Sequence, residues 1–325
     1  MSQNATVATR PVKIIRVGTL RYESLAVLIL LCAAMSFLSP YFLGLHNILN
    51  IFLATSVIGI LAIGSTFVIC MAAIDLSVGS LLAVSAVCGA LMVKPLHLPW
   101  PMVIVVTLAA GGLFGLANGF LVTHGRIPSF IVTLGMLGIA RGLAFILAGG
   151  RAIYDMPAPI VWLGQGRVLG VPVPMIAFLA VAVIGHFVLQ HTRFGKYTLV
   201  VGDNVMAARV TGLRVGRHVT KVFALSGAIA GLAGLLQMGR LNAADPATGI
   251  FFELNAITAA IIGGTNLFGG EGSILGTVIG ALIMGVILNG LNLLAVQAFY
   301  QQVAIGAVLI IAVWLDRLRA GAQEA

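Results

Sequence analysis

Ten apolar windows, separated by short polar stretches, follow one another along the chain. They cover residues 24–40, 48–72, 78–93, 100–122, 127–148, 173–190, 222–239, 251–265, 274–294 and 299–315. Most have close to the roughly 17 to 25 residues that an α-helix needs to cross the hydrocarbon of a bilayer. The pattern predicts an all-α, polytopic membrane helical bundle of about ten transmembrane helices. The windows at 78–93 and 251–265 are short, so each is either a full crossing or a broken, re-entrant segment.

Composition excludes an ordinary soluble domain. Hydrophobic residues make up 60% of the chain and charged residues only 8%, whereas soluble domains carry about a quarter charged residues. The net charge of +9 raises the question of a nucleic-acid partner, but the basic residues lie between apolar windows rather than along one face. We interpret them as signals for membrane topology and for lipid headgroups, and expect no nucleic acid.

The basic residues also predict the orientation. Residues 191–221 form a long polar stretch with six of the eighteen basic residues, and such loops stay in the cytoplasm. A cytoplasmic start then gives an N-terminal tail (1–23), a transmembrane domain (24–316) with a cytoplasmic loop at 191–221, and a C-terminal cytoplasmic tail (317–325). Thirteen basic residues lie inside, namely Arg10, Lys13, Arg16, Arg21, Arg126, Arg193, Lys196, Arg209, Arg214, Arg217, Lys221, Arg317 and Arg319, against Lys94, Arg151, Arg167 and Arg240 outside.

Arg141 and the spaced glycines are the clearest features within the apolar windows. A charge inside the membrane is a candidate functional group, but Gly138 and Gly142 flank Arg141, which favours a helix interface where the guanidinium bonds free carbonyl groups. Glycines four residues apart lie on one helix face and predict close helix packing. They occur at Gly111, Gly115 and Gly119, at Gly227 and Gly231, and at Gly276 and Gly280.

Two short polar motifs precede apolar windows in a related way. Ile74–Gly79 reads IDLSVG, and Gly269–Gly276 reads GGEGSILG. In each, an acid (Asp75 or Glu271) is followed two residues later by a serine (Ser77 or Ser273) and then by a predicted helix. This arrangement is typical of a helix N-cap with an acid near the positive helix end. The two motifs are either copies of one duplicated unit or a chance similarity.

The chain offers little for catalysis. Its six histidines are scattered without metal-ligand spacing, and it contains neither a phosphate-binding loop nor a nucleophile elbow. We expect no catalytic residues and no metal. All nine acids lie at predicted span ends, in loops or in tails, which disfavours an ion-coupled carrier. The amides near or within the spans suit either a hydroxyl-rich solute or interhelical hydrogen bonds; they include Asn118, Asn266, Asn289 and Asn292.

Four ordered motifs resemble the permease subunit of ribose-type monosaccharide ABC importers. They are IDLSVG at 74–79, GGTNLFGGEGSILG at 263–276, NGLNLL at 289–294 and AARVTGLRV at 207–215, and the similarity runs from about 47 to 316. Residues of these motifs that we single out as structural are Asp75, Ser77, Gly79, Gly264, Gly270, Glu271 and Gly272. Branched-chain amino-acid permeases are a more remote alternative, and an ion-coupled secondary transporter is the alternative from another class.

The resemblance implies a type II-like ABC importer permease in the bacterial inner membrane. It implies a dimer of permeases, most simply a homodimer, a cytoplasmic ATPase subunit that holds ATP and Mg²⁺, and a periplasmic sugar-binding protein. It also implies that the loop 191–221 contains the coupling helix that docks on the ATPase. The permease chain itself is then expected to hold no cofactor.

The coupling segment also has a local pattern of its own. Residues 203–213 predict a short helix that Asp203 caps and Gly212 ends, with Met206 and Val210 on one side. The coupling residues are predicted to be Asp203, Ala207, Ala208, Arg209, Gly212 and Leu213. The alternative is an amphipathic helix lying on membrane lipids. On the outer side, residues 149–171 form either a docking surface for the binding protein or a lid over the pore.

Overall fold

The structure is a computed structural model that describes residues 22–94 and 96–324, with side chains as far as residue 314. The predicted N-terminal tail therefore lies almost entirely outside the described residues. The same holds for the side chains of Arg317 and Arg319, which contributed to the predicted orientation.

Helices dominate the described part of the chain. They are α1 (Tyr22–Leu38), α2 (Leu45–Cys70), α3 (Val78–Val93), α4 (Pro101–Thr123), α5 (Ser129–Leu147), α6 (Ala158–Gln165), α7 (Val173–His191), α8 (Arg193–Asp203), α9 (Val205–Val210), α10 (Val215–Leu241), α11 (Phe252–Ile262), α12 (Ile274–Leu293) and α13 (Ala298–Glu324). Four two-residue strands pair antiparallel in two ribbons: β1 (Ile153–Tyr154) with β4 (Ala243–Ala244), and β2 (Arg167–Val168) with β3 (Val171–Pro172).

Each of the ten apolar windows coincides with a helix, so the prediction of an all-α membrane bundle is confirmed. Among the described residues, six helices are long and apolar enough to cross a membrane: α2, α4, α5, α7, α10 and α12. The apolar helices α1, α3 and α11 and the apolar part of α13 are shorter. The count of ten crossings stays a prediction.

The core is built around α2, α3 and α10. Every residue of α2 from Thr55 to Cys70 and of α3 from Val78 to Val87 is buried, as expected for helices that are apolar on all sides. These helices pack on α4, α7, α11 and α12, and the outer helices carry large apolar side chains that are exposed, such as Leu30, Leu113 and Val183. Such an outer surface fits contact with lipid.

Glycines join α4 to α10, as their spacing predicts. Gly111 faces the carbonyl of Gly227, and Gly115 faces the carbonyl of Phe223. A Cβ atom at Gly119 would lie 3.1 Å from the carbonyl oxygen of Thr220. The backbones therefore approach more closely than any side chain would allow, and the predicted close packing is confirmed here. Gly280 similarly packs on the α11 backbone.

The two short windows contain helices that begin inside the protein. Non-helical chain precedes both α3 (residues 71–77, mostly buried) and α11 (residues 245–251, mostly half-buried or exposed). Gly79, in the first turn of α3, lies against the carbonyl of Gly249 and the Glu253 side chain in the first turn of α11. The beginnings of the two helices thus meet within the bundle, which accounts for the shortness of both windows.

Candidate functional site

The polar stretch 191–221 is mostly helical. It comprises α8, α9 and the first turns of α10, and each short helix has a side-chain cap. The hydroxyl oxygen of Thr192 accepts a hydrogen bond from Gly195 N–H at 3.3 Å and caps α8. The amide oxygen of Asn204 accepts from Ala207 N–H at 2.9 Å and caps α9. Only one residue separates the two helices.

The predicted cap at Asp203 is wrong. Asp203 is the last residue of α8, and Asn204 is the residue with extended backbone (φ −153°, ψ 100°) that starts α9. Asp and Asn side chains are both suited to capping a helix. Which of the two residues caps α9 depends on where α8 ends. The predicted end of the helix is confirmed: Gly212 has φ +82°, and Leu213 N–H bonds Ala208 O at 3.2 Å in the manner of a glycine-terminated helix.

One side of α9 is anchored and the opposite side is exposed. Ala208 is completely buried, whereas Met206 is 67% and Val210 87% exposed. Ala207, Arg209 and Asp203 are also exposed, and Leu213 is partly buried. The predicted apolar side therefore projects from the protein, flanked by a basic residue.

The helices around α9 are held firmly. Leu199 and Val201 on α8 are buried in the main core. Thr198 is hydrogen-bonded to His218 Nε2 on α10 at 2.9 Å, and the His218 ring lies 5.0 Å from the ring of Phe194. Because two helices and a buried hydrogen bond support it, α9 is a fixed projection rather than a loose loop.

A groove of about 490 Å³ lies beside α9. Its lining includes Met71, Ala72 and Ala73, which follow α2, and Val205 and Arg209 on α9. The connection between α4 and α5, with Arg126, contributes the rest. The chain that leads to α3 and the helix α9 therefore line the same groove.

The IDLSVG motif fixes the start of α3. Asp75 Oδ1 accepts hydrogen bonds from Ser77 N–H (2.9 Å) and Ser77 O–H (2.6 Å), and Asn118 on α4 donates to Ser77 Oγ at 2.9 Å. Ser77 occupies the N-cap position of α3, as predicted, but its hydroxyl donates to Asp75 and makes no capping hydrogen bond to the helix.

In the second motif, GGEGSILG, the predicted helix cap at Ser273 is confirmed. Ser273 Oγ accepts from Gly276 N–H at 3.2 Å and caps α12. Gly264 has φ +92° at the end of α11, and Gly272 lies against the sulfur of the buried Cys70. The backbone carbonyl of Glu271 accepts from Asn266 N–H at 3.1 Å, which closes the loop between α11 and α12.

The four candidate asparagines make separate contacts. Asn118 bonds Ser77, as described above. Asn289 exchanges two amide hydrogen bonds with Asn47, at 2.9 and 3.0 Å. Asn266 closes a turn with Phe268 N–H at 2.9 Å, and Asn292 accepts from Gln301 at 2.8 Å. Their role in lining a solute pathway stays a prediction.

Arg141 bonds carbonyl groups, as the structural interpretation predicts. Its guanidinium donates from Nη1 to Pro246 O at 2.5 Å and Thr248 O at 2.6 Å. The bonds tie α5 to the non-helical chain before α11. Sequence reasoning could not find these partners, because they are backbone atoms more than a hundred residues away.

The predicted outer loop, residues 149–171, is ordered by contacts with the end of α10. Its strand β1 pairs with β4, and Met156 N–H donates to Asn242 Oδ1 at 2.9 Å. A cavity of about 500 Å³ opens there, with Trp162 in its wall and half exposed. Leu169, between β2 and β3, is 99% exposed. Such exposed apolar groups suit a partner surface as well as a lid.

Six described helices that are long and apolar enough to cross a membrane define the class as a multi-pass membrane protein. The chain belongs to the family described as the permease component of the branched-chain amino acid transport system, whose model matches residues 47–313. It is thus a permease component of the inner membrane, and not an enzyme.

Several curated proteins are similar over nearly the whole chain. The ribose import permease protein RbsC of Haemophilus influenzae is 41% identical over 90% of this chain and 92% of its own length. The D-allose transport system permease protein AlsC of Escherichia coli is 40% identical, with 92% of both chains covered. The L-arabinose ABC transporter permease protein AraH of Azospirillum brasilense is 38% identical over 92% of this chain and 88% of its own. No solved structure matches the chain.

Proposed function

We propose that this chain is the permease subunit of an ATP-driven importer that carries a monosaccharide or a related polyol across the inner membrane. The observation that carries the proposal is the likeness to ribose, allose and arabinose permeases over about nine-tenths of the chain. The exposed apolar side of α9 supports it, because a fixed helical projection fits the groove of a partner protein.

The partners follow from this role. A cytoplasmic ATPase subunit binds α9 and holds ATP and Mg²⁺, so the permease chain needs no cofactor. A periplasmic sugar-binding protein delivers the solute to the surface around Trp162 and Leu169. Two permease chains form a homodimer with the pathway between them, surrounded by membrane lipids.

The mechanism uses α9 as a lever. Closure of the ATPase dimer moves α9. Helices such as α4 and α10 then tilt together, because their backbones are in direct contact at the glycines. The cavity between the two protomers then changes from an outward to an inward opening. Solute contacts along the pathway are weak, and the binding protein provides most of the selectivity.

Two other functions are open to test. The family description favours a branched-chain amino-acid importer. Two buried acids, Asp75 at 2% and Glu253 at 9% exposure, favour an ion-coupled carrier more than the sequence suggested, because such carriers place acids inside the membrane.

Reconstitution distinguishes the three functions. Vesicles that contain the permease, its ATPase and its binding protein are given radiolabelled D-ribose, D-allose or L-leucine, with and without an ionophore. The proposal predicts uptake of a sugar that needs ATP and resists the ionophore. Uptake of leucine alone, or uptake that the ionophore abolishes and that needs no ATPase, would contradict it.

The coupling role of α9 has its own test. Arg209→Glu reverses an exposed charge, and Gly212→Glu replaces a glycine that has positive φ. We expect both variants to reduce co-purification of the ATPase and to reduce uptake. The outward-facing Trp162→Ala serves as a control that keeps the ATPase bound. Unchanged co-purification and uptake in both acidic variants would show that α9 is not the docking site.

A further inference from the structure

Three separate segments meet backbone to backbone directly behind α9. They are the end of α2 (Cys70–Ala72), the end of α8 (Gly202 and Asp203) and the loop before α12 (Gly269 and Gly270). We call this meeting point the glycine junction. The coupling helix α9 begins two residues after Asp203, so the junction is the nearest point of the core to which α9 is covalently linked.

The contacts in the glycine junction leave no room for a side chain at Gly202 or Gly269. Gly270 N–H donates to Cys70 O at 3.0 Å. A Cβ atom at Gly202 would collide with that carbonyl oxygen and would lie 2.7 Å from Gly270 N. Gly269 packs similarly, since its Cβ would lie 2.8 Å from Ala72 Cβ and 2.9 Å from Gly202 O. Backbone groups have no rotamers that could absorb a displacement, so close packing of this kind transmits movement.

Both chains that leave the junction lead to a helix start in the core. After Ala72, residues 73–77 run to α3, where the contacts among Asp75, Ser77 and Asn118 hold the helix to α4. After Gly270, Ser273 caps α12. The end of α8 thus contacts the chain that leads into the first of the two related motifs and the beginning of the second. This position gives them a shared role that neither capping nor packing alone explains.

We propose that the glycine junction passes the movement of α9 to α3 and α12, and that Gly202 is a positioning residue for solute import. The inference rests on the proposed function, because it requires an ATPase that moves α9. Gly202 does not touch solute or nucleotide; it keeps α8, α2 and the loop before α12 moving as one body. A side chain added at Gly202 should therefore push the three segments apart and uncouple ATP hydrolysis from import.

The substitution that separates the three segments is Gly202→Ala, which adds a methyl group, and Gly112→Ala is its matched control. Gly112 is also helical, but its Cβ would make only an ordinary contact of 3.7 Å with Ala228. Both variants are reconstituted with the ATPase, the binding protein and whichever of radiolabelled D-ribose or D-allose the wild type imports. We expect Gly202→Ala to retain the ATPase and its hydrolysis but to lose import by about tenfold, within the range of ordinary coupling effects. Gly112→Ala should import like the wild type.

Unchanged import by Gly202→Ala would overturn the inference. Absence of ATP-driven sugar import by the wild type would instead contradict the proposed function, so the two failures are distinguishable. If Gly202→Ala does not assemble with the ATPase, a disulfide cross-link decides, because the nearest atoms to a Cβ at Gly270 all belong to Asp203, the residue to which it would be linked.

The cross-link is Asp203→Cys with Gly270→Cys, in a chain whose native cysteines are replaced by alanine. A Cβ atom at Gly270 would lie 3.1 Å from Asp203 Cβ, slightly closer than the usual disulfide separation of about 3.5–4.5 Å, so a shift of a few tenths of an ångström brings the pair to bonding distance. Since the junction moves as one body, we expect the oxidised and the reduced protein to import equally well. Import that is lost on oxidation and restored by reductant would overturn the inference, and so would failure of the two cysteines to cross-link.

Discussion

Two neighbouring glycines on α4 should respond oppositely to the same added methyl group. Gly111 faces α10, and its Cβ would collide with Gly227 O and lie 3.0 Å from Gly231 Cα. Gly112 is the next residue, but its Cβ would lie 3.7 Å from Ala228 Cβ and 3.8 Å from Ala224 O. We therefore predict that Gly111→Ala destabilises the protein, whereas Gly112→Ala does not.

The magnitudes follow from these distances. To bring the new Cβ of Gly111→Ala to an ordinary contact, α4 and α10 must separate by roughly 1 Å, and such a gap removes a quarter to a half of each dispersion contact along the interface. Together with the strain of overpacking, we expect a loss of about 2–3 kcal/mol. Gly112→Ala should gain up to about 1 kcal/mol, because alanine favours the helix more than glycine does.

Reversible unfolding in mixed micelles, followed by circular dichroism, measures both free energies. Gly111→Ala should unfold at lower denaturant than the wild type, and Gly112→Ala at equal or higher denaturant. Equal midpoints for the two variants would refute the argument, since it depends on the different surroundings of two adjacent residues in one helix.

Three further predictions concern polar contacts. Arg141→Met leaves two partly buried carbonyl groups without their charged donor and should cost about 2 kcal/mol in unfolding free energy; an unchanged stability would contradict this. Asn204→Ala should weaken the α9 cap by about 1 kcal/mol and lower the affinity for the ATPase by about fivefold, measured by titration. Lys196→Ala, at an exposed position of α8 outside the predicted coupling residues, leaves the cap intact; equal affinities of the two variants would contradict the prediction. A double-mutant cycle of Asn47→Ala and Asn289→Ala should give a coupling of about 0.5–1.5 kcal/mol, and additive effects would show that the amide pair does not form.

Features that depend on local chemistry could be predicted from the sequence. The apolar windows place the helices because a bilayer requires long apolar runs, and glycines spaced by four mark the α4 and α10 faces because they share one side of a helix. The end of α9 at Gly212 follows from the tolerance of glycine for positive φ. Each of these depends on residues within a few positions of one another.

Features that depend on distant backbone atoms could not be predicted in this way. The cap of α9 lies at Asn204 because α8 extends through Asp203, and the end of α8 is set where Gly202 meets Cys70 and Gly270. The non-helical chain before α3 and α11 is stabilised by contacts between the two helix starts. Nothing in the local pattern of either window signals such a contact.

The hydrogen bonds of Arg141 have a consequence for biosynthesis. The carbonyl groups that they reach belong to residues 105 and 107 positions later in the chain, which a ribosome adds roughly 5 to 20 s after Arg141 at ordinary rates of synthesis. During that interval α5 carries a cation without these two acceptors, and a lone arginine at a helix centre costs about 2.5–3.5 kcal/mol to insert. Final insertion of α5 is therefore coupled to the arrival of the α10–α11 connection, so the order of assembly differs from the order of synthesis.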